Sequence, residues 1–390
     1  MAGLLYAYFG YPAVIWLASR LWGRPHREAE TEPTVSLLIP AHNEVAVIRA
    51  KVENSLALDY PREKLQVRVI SDGSTDGTDE IVRAYEPVGV ELQRVEVRAG
   101  KPNAVNQAVP FARGEILLLC DANTLFAADA VRRLVRHFAD PQVGAVTGDV
   151  RLRSKEVSYG EGEGLFYRIE RLLQTCESRL WTTIGVDGGM YALRRELYVP
   201  LQPDTLIDDF VTAMNVARTG ARVVYDPQAV ATEDAVADPT QEFRRRTRTV
   251  AGGFQTLLEG RGRPRWNQPG LWLGYLSHKV LRWISPFLMI LLMAGAVAAV
   301  VAGWNGGWPW IAALGLLGGQ VLFYLLATAG ALLVRRRLAG PLCLPYYFCL
   351  TNLAALVGFF KWLAKAQPVT WAHADRGRPM CEPGESGEKT

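Results

Sequence analysis

A chain of 390 residues that is 49% hydrophobic and carries 11 tryptophans is too apolar for an ordinary soluble protein, and its length accommodates two domains. Its net charge of +4 is dispersed rather than gathered in a basic patch, which argues against nucleic acid as a partner. Five cysteines without a C-x-x-C pair fit a reduced cytoplasmic domain without zinc.

The first apolar stretch, 2–19, has no basic n-region and no small-x-small cleavage site, so residues 1–24 read as an N-terminal transmembrane anchor. Arg20, Arg24, His26 and Arg27 follow it, and the positive-inside rule then places the next domain, 25–260, in the cytoplasm. From Val35 onward short β-rich runs alternate with helical patterns. Strands are expected at 35–39, 67–70, 90–95, 115–120, 143–147 and 222–225, and Ile48, Val52 and Leu56, like Val131, Leu134, Val135 and Phe138, fall at helical spacing. Such alternation predicts an α/β domain with a largely parallel sheet.

Within that domain the run I-S-D-G-S-T-D-G-T-D-E at 70–80 lacks the spacing and flanking helices of a calcium loop and reads as a strand-to-helix crossover, a usual place for a nucleotide. A plain capped turn would look the same. Neither G-x-G-x-x-G after a strand nor G-x-x-x-x-G-K-[ST] occurs, so a bound nucleotide must rely on carboxylates and a metal. Acidic groups do gather at strand ends: Asn43 and Glu44, then Asp72, then Asp121 in L-L-L-C-D-A-N, then Asp208 and Asp209 in T-L-I-D-D-F. A carboxylate in an apolar setting such as that of Asp121 is costly without a cation or a polar ligand.

Residues 261–283 mix apolar and basic side chains and are expected to form an amphipathic interface segment. Three further apolar stretches, 284–303, 309–334 and 338–360, make 284–365 a transmembrane region. Arg335, Arg336 and Arg337 place one loop in the cytoplasm, but the basic residues after the last stretch would then end outside, and Pro341 and Pro345 offer a kinked or re-entrant alternative. Three and four spans both remain open. Residues 366–390, rich in Gly, Pro and Glu, read as a flexible tail.

The ordered set S-L-L-I-P-A-H-N-E, V-I-S-D-G-S-T-D-G-T, G-K-P-N-A-V-N-Q-A, L-L-L-C-D-A-N and I-D-D, followed by a membrane tail containing S-H-K-V-L-R-W-I-S-P-F, resembles the membrane-bound family 2 glycosyltransferases, the group of the cellulose, hyaluronan, chitin and poly-N-acetylglucosamine synthases. The resemblance implies a GT-A fold and inverting transfer of a hexose from a UDP-sugar. It implies that Glu44 and Asp72 contact the nucleoside, that Ala41 lines the pocket, and that Lys101 lies beside the base or diphosphate. Asp121, with Asn123 where the family has a second Asp, would hold Mg2+ or Mn2+ against the diphosphate. For the general base, the literal triplet Thr232-Glu233-Asp234 competes with Asp209; the helix, glycine and strand that follow Asp208 and Asp209 match the family context, so Asp209 is expected to be the base, with Asp208 positioning it, and Glu233 and Asp234 are expected in a loop.

The family's Q-R-x-R-W corresponds to Arg245-Arg246-Thr247-Arg248-Thr249. Arg246 and Arg248 are expected at the diphosphate, while Thr249 in place of Trp removes a sugar-stacking platform. Gly188 and Gly189 match the acceptor-site segment. The implied function is extension of a growing glycan for an exported or cell-surface polysaccharide by an enzyme integral to the cytoplasmic membrane; the alternative is transfer of a single sugar to a membrane lipid acceptor. So few helices leave a homodimer or an exporter as partner.

Overall fold

In the run Leu65–Asp72 every side chain but that of Arg68 is buried, and a strand buried on both faces needs a helical layer on each side. The computed structural model, which describes residues 1–153, 161–234, 239–303, 307–334 and 340–370, supplies those layers. Its sheet contains β1 (Val35–Ala41), β2 (Leu65–Asp72), β3 (Val90–Val95), β4 (Ile116–Cys120), β5 (Leu125–Phe126), β6 (Val143–Arg153), β7 (Met190–Arg194) and β8 (Arg222–Asp234), in the order β3-β2-β1-β4-β7-β6-β8-β5.

The half formed by β3, β2, β1 and β4 is parallel, as expected. The other half is mixed: β7 runs antiparallel to both β4 and β6, β6 and β8 are parallel, and β5 is antiparallel to β8. The largely parallel expectation is corrected chiefly by β7. Its sequence, M-Y-A-L-R, is buried at the first four positions, so it shows neither alternation nor β-branched residues. Glu233 and Asp234 are corrected too: they end β8, paired with Leu152 and Arg153 of β6, instead of lying in a loop.

Period-two alternation sorts the strand side chains into two cores. Leu37, Ile39 and Leu118 join Val52 of the helix Ile48–Leu56 on one face. Leu38, Leu117 and Leu119 join Ala104, Val211 and Met214 on the other, and that second core continues without a break into Phe254, Tyr275 and Trp283. The catalytic-type sheet is therefore welded to the interface segment by shared apolar packing.

Among the described residues, three helices are long and apolar enough to cross a membrane: Ala2–Trp22, Trp308–Val334 and Gly340–Leu363. Pro269–Trp283 and Ser285–Val301 meet that test only together and are bent by 61° at their junction. The sharp bend thus falls near Ile284 and Pro286, whereas Pro345 sits in the first turn of Cys343–Leu363, where proline is tolerated. The Arg335 to Arg337 loop lies outside the described residues.

The long helix Glu161–Leu180 carries a polar network into the interface segment, which with the first span forms a collar beside the domain. Fully buried His278 approaches Glu177 Oε1 at 2.8 Å and Glu170 at 3.0 Å; Lys279 reaches Glu170 at 2.5 Å, Arg282 at 3.1 Å, and the Tyr11 hydroxyl donates to Glu177 at 2.8 Å.

Candidate active site

The site forms beyond the C-terminal ends of β1, β2 and β4. After β1, Asn43 adopts a left-handed φ of 53°, which lets its Oδ1 accept from Thr75 N at 2.8 Å while His42 Nδ1 lies 2.6 Å from the Asp72 carbonyl. Glu44 N donates to Thr78 Oγ1 at 2.9 Å. The loops after β1 and β2 are stitched together in this way. Asp76, one residue before the N-cap Gly77, accepts from Thr78 N at 3.0 Å and so closes the turn into the crossover helix Thr78–Arg83.

Asp72 does something the sequence did not suggest. Both of its oxygens are engaged by backbone amides, Oδ1 by Ala99 N at 2.9 Å and Oδ2 by Gly100 N at 2.7 Å, so the carboxylate shapes the loop leading into the helix Lys101–Ala108. Ala41 is buried in the first core.

Lys101 opens that helix, and its Nζ lies 2.6 Å from Asp121 Oδ1 and 3.6 Å from Asp208 Oδ2. Burial alone would lower its pKa, but the charges of Asp121 and Asp208 outweigh it and hold the ammonium well above its usual range. Asp208 and Asp209 are the first residues of the helix Asp208–Arg218. Burial, then the Asp208 carboxylate, push Asp209 up to about 6, against the pull of Lys101. Asp209 Oδ1 accepts from Phe210 N at 2.7 Å, and a Cβ at Gly188 would fall 2.7 Å from Asp209 Oδ2. A side chain at 188 would therefore displace the Asp209 carboxylate, which lies against this position. At Gly189 a Cβ would meet Thr124 Oγ1 at 3.1 Å, a milder constraint.

Asp187, singled out by nothing in the sequence beyond its place before two glycines, joins this cluster. Burial, and beyond that the charges of Glu233, Asp209 and Asp121, push it up to about 7, although the Gly189 N–H donates to it at 3.0 Å. Arg248 feels Asp208, Asp209 and Asp121, which oppose the lowering of its pKa by burial. Arg246 does not join it. Its guanidinium bonds Glu242 at 2.7 Å and the Tyr347 hydroxyl, and lies 4.3 Å from the Phe166 ring. Two residues apart on the helix Pro239–Glu259, the two arginines face different ways, so the structure does not bring them to one point.

The start of the expected flexible tail is also engaged: the Val369 carbonyl accepts from Arg248 at 3.2 Å, and its side chain packs over Gly100. Residues beyond 370 lie outside the described ones.

Asn123 sits partly buried in the turn after Asp121. A carboxylate and an amide oxygen one residue apart form a hard-oxygen pair suited to Mg2+ or Mn2+, and a cluster of Asp121, Asp187, Asp208 and Asp209 facing Lys101 and Arg248 has negative charge to spare for one. With Asp121 Oδ1 on Lys101, however, no three ligand atoms are gathered there; among the described residues that arrangement occurs only at His26, Glu28 and His137, on another part of the domain.

Residues 36–199 match the model of the family Glycosyl transferase family 2. The poly-beta-1,6-N-acetyl-D-glucosamine synthase of Staphylococcus aureus is 28% identical over 236 residues, 57% of this chain and 55% of that protein, and the beta-monoglucosyldiacylglycerol synthase of a Nostoc strain is 26% identical over 253 residues, 61% of this chain and 54% of that protein. The chain thus spans about half the length of these curated relatives. Among solved structures, a mannosyltransferase from Pyrobaculum calidifontis in complex with GDP-Man and Mn2+ is 28% identical, with a TM-score of 0.67 over 90% of this chain and 96% of that one. The mixed sheet with its helical layers is of the GT-A type.

Proposed function

Since residues 36–199 match the model of glycosyltransferase family 2, we propose that the chain transfers a sugar from a nucleoside diphosphate donor to a hydroxyl presented at a membrane surface, with inversion, and that Asp209 is the general base. The observation that carries the reading is the Lys101, Asp121, Asp208, Asp209 cluster beyond the sheet edge. One displacement with inversion needs a base on the acceptor side whose pKa lies near working pH, and a carboxylate pushed up to about 6 meets that need. The acceptor hydroxyl gives its proton to Asp209 while its oxygen attacks the anomeric carbon and the nucleoside diphosphate leaves. A divalent ion held by Asp121 and Asn123 would neutralise charge on that leaving group. Lys101 exchanges Asp121 for a phosphate oxygen as the donor enters, and Arg248 adds forked hydrogen bonds to the same group. Asp208 holds Lys101 in place.

For the acceptor we favour a membrane lipid that receives one sugar. Thr249 stands exposed where the family has its Trp, and Arg246 is tied to Glu242 and Tyr347, so this position offers no ring on which a long glycan could stack. The likeness to the Nostoc lipid glycosyltransferase supports the same choice. Extension of a growing polysaccharide is the second reading, supported by the likeness to the S. aureus synthase. The Arg20, Arg24 and Arg27 run after the first span supports a catalytic domain on the cytoplasmic side, and either a homodimer or an exporter would serve the polymer reading.

The test is protein in lipid nanodiscs with Mg2+ or Mn2+ and a panel of UDP-sugars and GDP-mannose, reading nucleoside diphosphate release and product mass. A UDP-sugar is expected from the sequence; the solved mannosyltransferase puts GDP-mannose on the panel. A lipid carrying one sugar is the expected product. A polymer ladder would favour the second reading, and no release with any donor would contradict the transferase.

A further inference from the structure

A second constellation lies where the linker leaving the first span meets the turn Arg136–Ala139, which leads into β6. The linker is docked by backbone contacts on either side: Arg24 N donates to Arg179 O at 2.7 Å, Arg222 donates to Arg24 O at 2.9 Å, Arg27 N to Asp140 Oδ2 at 3.1 Å and Ala29 N to Arg136 O at 3.2 Å. Between them, His26 Nε2 faces His137 Nδ1 at 2.6 Å, and Glu28 Oε1 lies 3.6 Å from the former and 3.7 Å from the latter. His137 is buried, and its other nitrogen, Nε2, lies 2.8 Å from buried Asp226 Oδ2.

The carboxylate of Asp226 fixes the chemistry of this group. An ionised carboxylate only accepts, so His137 Nε2 carries a hydrogen and Nδ1 turns its lone pair toward His26 and Glu28. A carboxylate behind an imidazole is the support that orients metal-bound histidines. Arg136 reaches Asp226 at 2.9 Å and Glu28 at 3.4 Å, so with neutral rings the group keeps one net negative charge.

We propose that His26 Nε2, His137 Nδ1 and a Glu28 oxygen bind a divalent transition ion of the zinc class, which clasps the membrane-proximal linker to the catalytic domain. These ligand atoms all lie within 4.8 Å of one another. For a tetrahedral ion with bonds of about 2.0–2.1 Å the two nitrogens must separate to about 3.3 Å. His26 and Glu28 lie on the linker and can make that adjustment while Asp226 holds His137. On binding, His26 changes tautomer: the hydrogen that bridges the two rings from Nε2 goes to solvent and Nδ1 takes one up, so Nε2 is free for the ion and both histidines bind in the neutral form. Glu28 faces solvent, leaving the fourth position to water. Imidazole donors prefer zinc-class ions, whereas the all-oxygen pair Asp121 and Asn123 prefers Mg2+ or Mn2+, so the two sites select different metals. Cysteine spacing had argued against zinc; this site contains no cysteine.

The test uses full-length protein in nanodiscs, stripped by chelator and titrated with Co2+ and with Zn2+. Co2+ is expected to give the intense visible band of a tetrahedral site, retained in Asp121→Asn, lost in His26→Ala and weakened in Glu28→Gln. Without any variant, Zn2+ at a hundred times its Kd is expected to slow trypsin cleavage after Arg24 and Arg27 about 100-fold, because the clasped linker opens that much less often. A band absent from the wild type, or one unchanged in both His26→Ala and Glu28→Gln, or cleavage indifferent to Zn2+, would overturn the proposal.

Discussion

The collar and the sheet edge both bury carboxylates, and they balance them in opposite ways. In the collar, Glu170 and Glu177 meet His278, Lys279, Arg282 and the Tyr11 hydroxyl. Burial would raise the Glu170 pKa, yet His278 and Lys279 hold it well below the usual carboxylate range. At the sheet edge, Asp121, Asp187, Asp208 and Asp209 face Lys101 and Arg248, and the surplus negative charge leaves Asp187 and Asp209 pushed up. Matched charges fasten the interface segment to the domain. Unmatched ones cost stability and are retained where a cation, a phosphate or a proton is to be handled.

Four substitutions or conditions test that contrast, from the largest effect downward. Lys101→Met removes the cation between Asp121 and Asp208; turnover should vanish and stability fall by about 3–5 kcal/mol, read by thermal unfolding and nucleoside diphosphate release. Glu177→Gln breaks only the collar and should cost about 2–3 kcal/mol with turnover per folded molecule unchanged; a loss of turnover at full folding would erase the distinction between the two regions. Gly188→Ala should misplace the Asp209 carboxylate and slow turnover about 100-fold while the melting temperature barely moves. Finally, the folded pKa values of Asp187 and Asp209 are raised above the unfolded value of 3.8, so the folded state holds more protons and stability falls as pH rises through about 4 to 7. Between pH 8 and pH 6, therefore, the melting temperature should climb while turnover declines as Asp209 takes up a proton, and the climb should shrink in Asp187→Asn.

The parallel half of the sheet was legible because its strands are β-rich runs, mainly apolar in β1 and β4 and alternating in β2 and β3, bounded by turn residues. The short β7 was not, since five residues without β-branching carry no pattern of their own, and its discovery explains why Asp187, Gly188 and Gly189 stand where they do: they precede the strand that pairs with the end of β4. Asp121, Asp208 and Asp209 stood out by their places at strand and helix ends, and the structure gathers them around Lys101. The Lys101 bridge between two of them joins residues 20 and 107 positions away, a contact that local sequence cannot encode. Arg246 and Arg248 stand together in the motif but apart in space, because spacing of two on a helix turns side chains to different faces. His26 and His137, 111 residues apart, gave no signal at all.

The most direct measurement is of Asp209→Asn, taking melting temperature and turnover on the same nanodisc preparation. The account predicts turnover lower by about 1,000-fold or more, donor binding retained, and a melting temperature equal to or above that of the wild type, because a neutral amide relieves the repulsion from Asp208. Turnover within tenfold of the wild type, or a marked loss of stability, would contradict it.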